Sequence, residues 1–136
     1  MDLNNKTLGG FAEDLAAEFL SKQGFIILER NFQSPLGEID IIALEPKNPL
    51  QFIFSKKIFS SSKIIFVEVK AQKQNEFGQA EERIGFFKQE KLKRIALFYL
   101  KEKKLINHSF RIDAVRVDLQ KQEPKIKHII SAVEEK

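Results

Sequence analysis

The chain has 136 residues, of which 43% are hydrophobic, and this length and composition are typical of one domain with a single buried core. It contains no cysteine, which excludes a disulfide framework, thiolate zinc sites and cysteine nucleophiles. The formal net charge of +4, from 23 Lys and Arg against 19 Asp and Glu, permits a nucleic-acid partner without demanding one.

The first part of the chain predicts one helix and two strands. Residues 1–7 are polar and no stretch approaches about 18 consecutive apolar residues, so we expect a cytoplasmic protein that does not enter a membrane. Apolar residues recur at helical spacing over 8–20 and predict an amphipathic helix. A short apolar run at 25–28 predicts a strand, and a turn at 34–37 leads into a second strand at 38–44.

The middle of the chain contains its clearest strand. β-branched and aromatic residues on both faces of 64–70 are typical of a strand in the centre of a sheet. Before it, the stretch 43–63 contains two prolines and shows no regular period. We therefore expect residues 1–136 to form a single domain with an extended hairpin connection at about 43–63.

The last part of the chain predicts a long helix followed by two strands. Helical periodicity extends from about 79 to 103, and we expect a bend at Gly85 because glycine inside a helix costs on the order of 1 kcal/mol. The segments 110–119 and 126–133 read as strands separated by a polar stretch. The sequence thus alternates strands and helices, as an α/β protein does.

Acidic residues interrupt two of the predicted strands. In 64–70 the period of two places Glu68 and Lys70 on one face, and Asp40 interrupts an apolar run in the preceding strand. If the two strands pair as a hairpin, directly opposed side chains come within roughly 4.5–5.5 Å. The sequence therefore predicts that Asp40 and Glu68 lie close together.

Two interpretations of these carboxylates are open from the residues alone. Buried carboxylates repel each other and cost several kcal/mol of desolvation per ion unless a charge compensates them. A divalent cation such as Mg²⁺ would do so, because it binds one or two carboxylates and keeps water and phosphate oxygens as further ligands. The alternative is a structural ion pair in which Lys70 neutralises Asp40 or Glu68.

Ordered segments along nearly the whole chain carry a resemblance to a known family. They are Gly10-Phe11-Ala12-Glu13-Asp14-Leu15-Ala16, Gly24-Phe25, Arg30-Asn31, Gly37-Glu38-Ile39-Asp40, Phe66-Val67-Glu68-Val69-Lys70, Phe77-Gly78-Gln79-Ala80, Lys88 and Phe110-Arg111-Ile112-Asp113. In these segments the chain resembles the YraN-like family of small bacterial proteins. That family is itself similar to the PD-(D/E)xK nuclease superfamily, near the archaeal Holliday-junction resolvases.

The resemblance implies a restriction-endonuclease-like α/β fold, with a central mixed β-sheet flanked by α-helices. It implies that Asp40, Glu68 and Lys70 form an Asp…Glu-x-Lys catalytic site, completed by Glu13 on the first helix. Asp40, Glu68 and Glu13 would then hold Mg²⁺ or Mn²⁺, and Lys70 would act on the water or the phosphate. Without the resemblance, Glu13 would be interpreted as a solvated charge at the border of its helix's apolar stripe.

The second helix carries the candidate nucleic-acid contacts Lys88, Lys91 and Arg94. Lys88 is the one charged residue on a helical stripe that also contains Ile84, Leu92, Ile95 and Tyr99. Its side chain could contact a phosphate, pair with the acidic cluster, or extend to water at the edge of the core. Lys91 and Arg94 belong to a basic exterior that is either a DNA contact or an ordinary solvated face.

Two further patterns receive structural interpretations. Arg111 and Asp113 alternate with apolar residues on one strand face, where a structural ion pair is expected rather than a second catalytic site. His108 and His128 are isolated in the sequence, and we assign them no role.

The leading functional hypothesis is an Mg²⁺-dependent endonuclease or exonuclease that hydrolyses phosphodiester bonds in DNA rather than RNA, with structure specificity like that of a junction resolvase. A resolvase cuts two strands at matching positions and is expected to act as a symmetric homodimer. The alternatives are a non-catalytic nucleic-acid-binding module of the same fold, and an adaptor for another protein in which the polar cluster serves only stability.

Overall fold

A computed structural model describes residues 8–46, 62–73, 85–119 and 123–132. Within these residues the elements follow in chain order: α1 (Leu8–Lys22), β1 (Ile26–Ser34), β2 (Gly37–Leu44), β3 (Ile64–Lys73), α2 (Phe86–Glu102), β4 (Phe110–Leu119) and β5 (Lys125–Ile129). No helix of this part of the chain is long and apolar enough to cross a membrane.

The strands form one five-stranded sheet in the order β1-β2-β3-β4-β5. β3 and β4 are parallel, and α2 connects them, as a parallel pair requires a crossover. The other neighbouring pairs are antiparallel. The described residues therefore form a mixed sheet with two helices, which confirms the α/β class and is consistent with a restriction-endonuclease-like fold.

One helix packs on each face of the sheet. Ala12, Ala16 and Leu20 of α1 are fully buried against one face, together with apolar residues of β2, β3 and β4. Leu92 and Ile95 of α2 belong to the core on the other face. Because β3 is covered on both sides, its apolar residues form a continuous buried run, as the sequence of this strand predicts.

The first hairpin is longer than its sequence pattern predicts. β1 extends to Ser34, whereas the apolar run predicted a strand only at 25–28. Pairing with β2 continues through the polar segment to Ser34 and Gly37, and Asn31 adopts a left-handed φ of 52° within it. The backbone hydrogen bonds between β1 and β2, rather than the apolar pattern, therefore determine the length of β1.

The second helix begins later than predicted, and the expected bend is wrong. Gly85 is the N-cap residue of α2, with an extended backbone (φ −63°, ψ 158°), so the described helix starts after it rather than bending through it. The predicted helical residues 79–84 lie outside the described residues. Most of the predicted connection at 43–63 lies outside them too. At its base, the Glu45 N–H donates to the Lys63 carbonyl at 2.9 Å.

The last strand is shorter than the predicted 126–133. β5 ends at Ile129, and Ser131 then adopts a left-handed φ of 54°. The Ser131 N–H donates to Asp113 Oδ1 at 2.8 Å. This hydrogen bond ties the chain after β5 to β4, which the apolar pattern alone does not indicate.

Candidate metal centre

Asp40 and Glu68 lie where β2 and β3 separate. The last pair of the antiparallel β2–β3 ladder is Ile41 with Val67. Asp40 and Glu68 are the next residues beyond this pair, one on each strand. Asp40 Oδ2 accepts a hydrogen bond from the Val69 N–H at 2.7 Å. The Asp40 carboxyl group thus replaces a β2 backbone carbonyl as the acceptor for Val69, and the two strands separate at this fork.

The two side chains form a hydrogen-bonded pair, called here the acidic pair. Asp40 is only 8% exposed. Burial, the hydrogen bond with Glu68 and the charges of Glu68 and Glu13 raise the pKa of Asp40 from 3.8 to about 8, although the Val69 N–H opposes the shift. At neutral pH Asp40 therefore keeps its proton.

Lys88 of α2 supplies the cation that contacts the acidic pair. Its Nζ lies 2.9 Å from Glu68 Oε2, and the Glu68 side chain is 16% exposed whereas that of Lys88 is 59% exposed. Among the alternatives for Lys88, the structure thus shows a partner for the acidic cluster. Because the lysine is mostly in water, this ion pair is weak and exchangeable.

Lys70 lies on the same strand face as Glu68, as the period of two predicts, and its side chain is exposed. Among the described residues, the ion pair of Glu68 is made with Lys88 rather than with Lys70. The structural ion pair that was open from the sequence is therefore present with a different lysine. Lys70 is left directed to solvent beside the acidic pair.

Glu13 lies near the acidic pair without joining it. It is half-buried on α1, and its charge contributes to the raised pKa of Asp40. Burial also raises the pKa of Glu13 itself, while Arg30 and a hydrogen bond with Asn31 act in the opposite direction. The helix thus brings a third carboxyl group toward the fork, and the role of this group as a metal ligand stays a prediction.

The described donors fit a cation that keeps much of its own water. No group of three His, Asp or Glu side chains in the described ranges is close enough to form a complete metal cage. Two hydrogen-bonded carboxyl groups that retain a proton are nevertheless suited to exchange that proton for a divalent cation. Mg²⁺ is held in this way by one or two carboxylates, with waters and phosphate oxygens as its other ligands.

The predicted nucleic-acid contacts of α2 are exposed, but they are not equivalent. Lys91 packs along the β1–β2 hairpin turn, where a Cβ added to Gly37 would lie 2.7 Å from Lys91 Cε. The φ of Gly37 is +139°, a backbone conformation that favours glycine, whereas the flexible end of Lys91 could move aside. Arg94 is exposed further along the helix.

The acidic pair makes the stability of the protein depend on pH. Between pH 4 and pH 8 the folded chain retains a proton on Asp40 that the unfolded chain, with a pKa of 3.8, has lost. Stability should therefore fall as the pH rises through this window. Asp40→Asn imitates the protonated acid, so its melting temperature relative to wild type should increase by about 5 °C or more between pH 5 and pH 8. Thermal melts in metal-free buffer test this, and a difference that stays constant with pH would contradict it.

A second polar cluster, on β4 and β5, was only partly predicted. Asp113 is fully buried and accepts hydrogen bonds from Arg111 Nε at 2.8 Å and from His128 Nε2 at 2.7 Å, in addition to the one from Ser131. Arg111 also donates to Glu45. The expected Arg111–Asp113 pair is confirmed, and His128, to which the sequence assigned no role, is a structural partner of the same carboxylate. The β4–β5 pairing brings His128 to Asp113, and no local sequence signal reveals it.

The Asp113 cluster serves stability rather than chemistry. Burial alone would raise the pKa of Asp113, but the hydrogen bonds from His128 and Arg111 hold it below its usual value. Asp113→Asn leaves these donors incompletely satisfied and should destabilise the fold by about 3 kcal/mol. Urea unfolding measures this loss. Glu18→Gln, which removes an exposed pair with Lys22, is the control and should cost less than about 1 kcal/mol.

Comparison with known proteins gives a consistent result. The model of a family described as "Uncharacterised protein family UPF0102" matches residues 12–117, which include both members of the acidic pair. A UPF0102 protein of Dictyoglomus turgidum is 39% identical over 117 residues, covering 86% of each chain. One from Caldanaerobacter subterraneus subsp. tengcongensis is 35% identical over 133 residues, covering 96% of this chain and 97% of the relative. One from Geobacter metallireducens is 34% identical over 134 residues, covering 98% of both.

Proposed function

The chain belongs to the protein family UPF0102, the YraN-like family, and we propose that it is a cytoplasmic, divalent-metal-dependent nuclease acting on DNA. The observation that carries this proposal is the acidic pair, in which Asp40 and Glu68 are hydrogen-bonded at the fork between β2 and β3. Lys70 lies two residues beyond Glu68 on the same face of the strand. This arrangement corresponds to the Asp…Glu-x-Lys site that the similarity to PD-(D/E)xK nucleases implies.

Asp40 and Glu68 would hold Mg²⁺ or Mn²⁺, and Glu13 would add negative charge beside them. When bound, the cation would lower the pKa of a water molecule and stabilise charge on the phosphodiester. Asp40 must lose its proton for this, so cation binding should release a proton at neutral pH. The hydrogen bond from the Val69 N–H fixes the orientation of the Asp40 carboxylate in either state.

Lys70 and Lys88 would have different roles at this site. Lys70 would place its ammonium group beside the phosphate under attack, where developing negative charge is stabilised by a positioned cation. Lys88 would neutralise Glu68 in the resting protein and turn to a DNA phosphate when metal takes its place. Lys91 and Arg94 would contact the backbone further along α2.

One observation favours the alternative of a non-catalytic nucleic-acid-binding module. The Lys88 ion pair already neutralises Glu68, so the acidic pair is electrostatically satisfied by one proton and one lysine. A protein without catalysis would need nothing more at this site. The binding module and the nuclease make opposite predictions about cleavage.

A cleavage assay separates these two functions. The substrates are end-labelled Holliday junctions, flaps, single strands and linear duplexes of DNA, with matched RNA strands, each incubated with Mg²⁺ or Mn²⁺. The nuclease proposal expects metal-dependent cleavage of DNA, with branched substrates preferred if the chain acts as a resolvase-like homodimer. Binding without cleavage under all these conditions would overturn the nuclease proposal in favour of the binding module.

A further inference from the structure

Basic residues of three neighbouring strands form a row across the sheet. Lys70 on β3 is paired in register with Arg116 on β4, and Arg116 is paired with Lys127 on β5. Residues paired in this way point to the same face of a sheet, and neighbouring strands are about 4.8 Å apart. The row therefore extends about 10 Å from the site to the edge strand.

The row belongs to a wider basic surface on the side of the sheet that carries α2. Lys125 lies two residues from Lys127 on β5 and shares its face. Lys70, Lys125 and Lys127 are exposed, and Arg116 is half-exposed. Asp118, the register partner of Lys125, is buried on the same face, and the four cations outnumber it. We call Lys70, Arg116, Lys125 and Lys127 the β3–β5 basic surface.

Arg116 is held in place by Gln72. The Gln72 side chain is 5% exposed, and its Oε1 accepts hydrogen bonds from both Nε, at 3.0 Å, and Nη2 of Arg116. An arginine anchored through one edge loses less rotamer entropy when it binds an anion, because its guanidinium is already oriented. This anchoring distinguishes Arg116 from a freely mobile surface cation.

The surface continues directly from the acidic pair. α2 packs chiefly on β2 and β1, and the core on this face of the sheet extends to Phe66 of β3 and Ile112 of β4. Beyond these residues the same face carries Glu68, then Lys70 and its partner Arg116. Because β3 and β4 are parallel, their carboxyl-terminal halves lie at the same end of the sheet. A polyanion that extends from the acidic pair past Lys70 would therefore contact the β3–β5 basic surface next.

We infer that the β3–β5 basic surface binds the sugar–phosphate backbone of the nucleic acid that occupies the proposed site. The inference rests on the proposed function and adds the direction in which one strand leaves the site, across β4 toward β5. Charge complementarity and the continuity with the acidic pair identify the occupant. Three cations across about 10 Å, with Lys125 two residues further along β5, suit successive phosphates, and backbone contacts of this kind carry no sequence preference.

Salt-dependent binding tests this path without relying on cleavage. The full chain is titrated into fluorescein-labelled branched and duplex DNA in EDTA over a series of salt concentrations. Each phosphate contact contributes about 0.9 to the slope of log affinity against log salt for duplex DNA. The double variant Lys125→Gln/Lys127→Gln should lower that slope by about 1–2 and weaken binding on the order of tenfold at low salt. Lys127→Arg should retain the slope of wild type.

The matched control is Lys101→Gln/Lys104→Gln, which removes two exposed lysines at the carboxyl-terminal end of α2. It changes net charge equally and should leave the slope unchanged. An unchanged slope in the β5 variant, or an equal loss in the control, would overturn the inference. If the wild-type protein cleaves DNA but the β5 variant keeps the wild-type slope, only the proposed backbone contact is rejected. If the β5 variant has a reduced slope but the wild-type protein never cleaves, only the nuclease proposal is rejected.

Discussion

Asp40→Asn and Glu68→Gln should each abolish metal-dependent cleavage while leaving the protein folded. Both substitutions keep the shape of the side chain and remove a charge that would hold the cation. The amide introduced by Asp40→Asn can still accept the hydrogen bond from the Val69 N–H and donate to Glu68, so the fork between the strands is preserved. We expect cleavage rates at least about 10³-fold below wild type, because transition-state stabilisation by the cation is worth several kcal/mol.

Single-turnover cleavage in Mn²⁺, together with circular dichroism of each variant, measures this effect. Glu90→Gln is the control, because Glu90 pairs with Lys93 on α2 and its loss removes the same charge from a position outside the fork. Cleavage that survives in Asp40→Asn at the wild-type rate would show that the acidic pair does not hold the catalytic cation.

Lys70→Ala should lose cleavage almost as completely but retain metal binding. Its side chain is exposed beside the acidic pair and is assigned to the phosphate rather than to the cation. Removal of one positioned charge of this kind costs about 10²–10³ in rate. Lys88→Ala should behave differently: removing the ion pair to Glu68 should strengthen cation binding, and the main defect should be weaker affinity for DNA.

The comparison of Lys70→Ala with Lys88→Ala requires two measurements, single-turnover rates at saturating enzyme and calorimetric Mn²⁺ titrations. We expect a rate defect for Lys70→Ala and an affinity defect for Lys88→Ala. If Lys88→Ala shows the larger rate defect at saturation, the roles of the two lysines are reversed.

The sequence predicts the acidic pair because its signals are local. Asp40 and Glu68 each interrupt an apolar run on a strand, and a hairpin between the strands is enough to bring them together. The sequence also singles out Lys88, because it is a single charge on an apolar helical stripe. The hydrogen bond from the Val69 N–H to Asp40, and the burial that keeps a proton on Asp40, can be inferred only once the register at which the two strands separate is known.

Features built from distant strands are not predicted. His128 reaches Asp113 only through the β4–β5 pairing, and nothing near either residue in the sequence indicates the contact. Arg116 and Lys127 alternate with apolar residues on their own strands, and nothing local singles them out. Their common surface with Lys70 appears only when the parallel β3–β4 register is known. Long-range strand pairing is thus the information that the local pattern lacks.

Calorimetric titration of Mn²⁺ into metal-free protein at pH 7 tests the central claim most directly, because it asks whether the acidic pair is a cation site. We expect one saturable site per chain, release of about one proton per Mn²⁺ as Asp40 ionises, and loss of that site in Asp40→Asn. Repeating the titration in buffers of different ionisation enthalpy counts the protons. Absence of saturable binding in the wild-type chain, or undiminished binding in Asp40→Asn, would contradict the assignment of the acidic pair as a cation site.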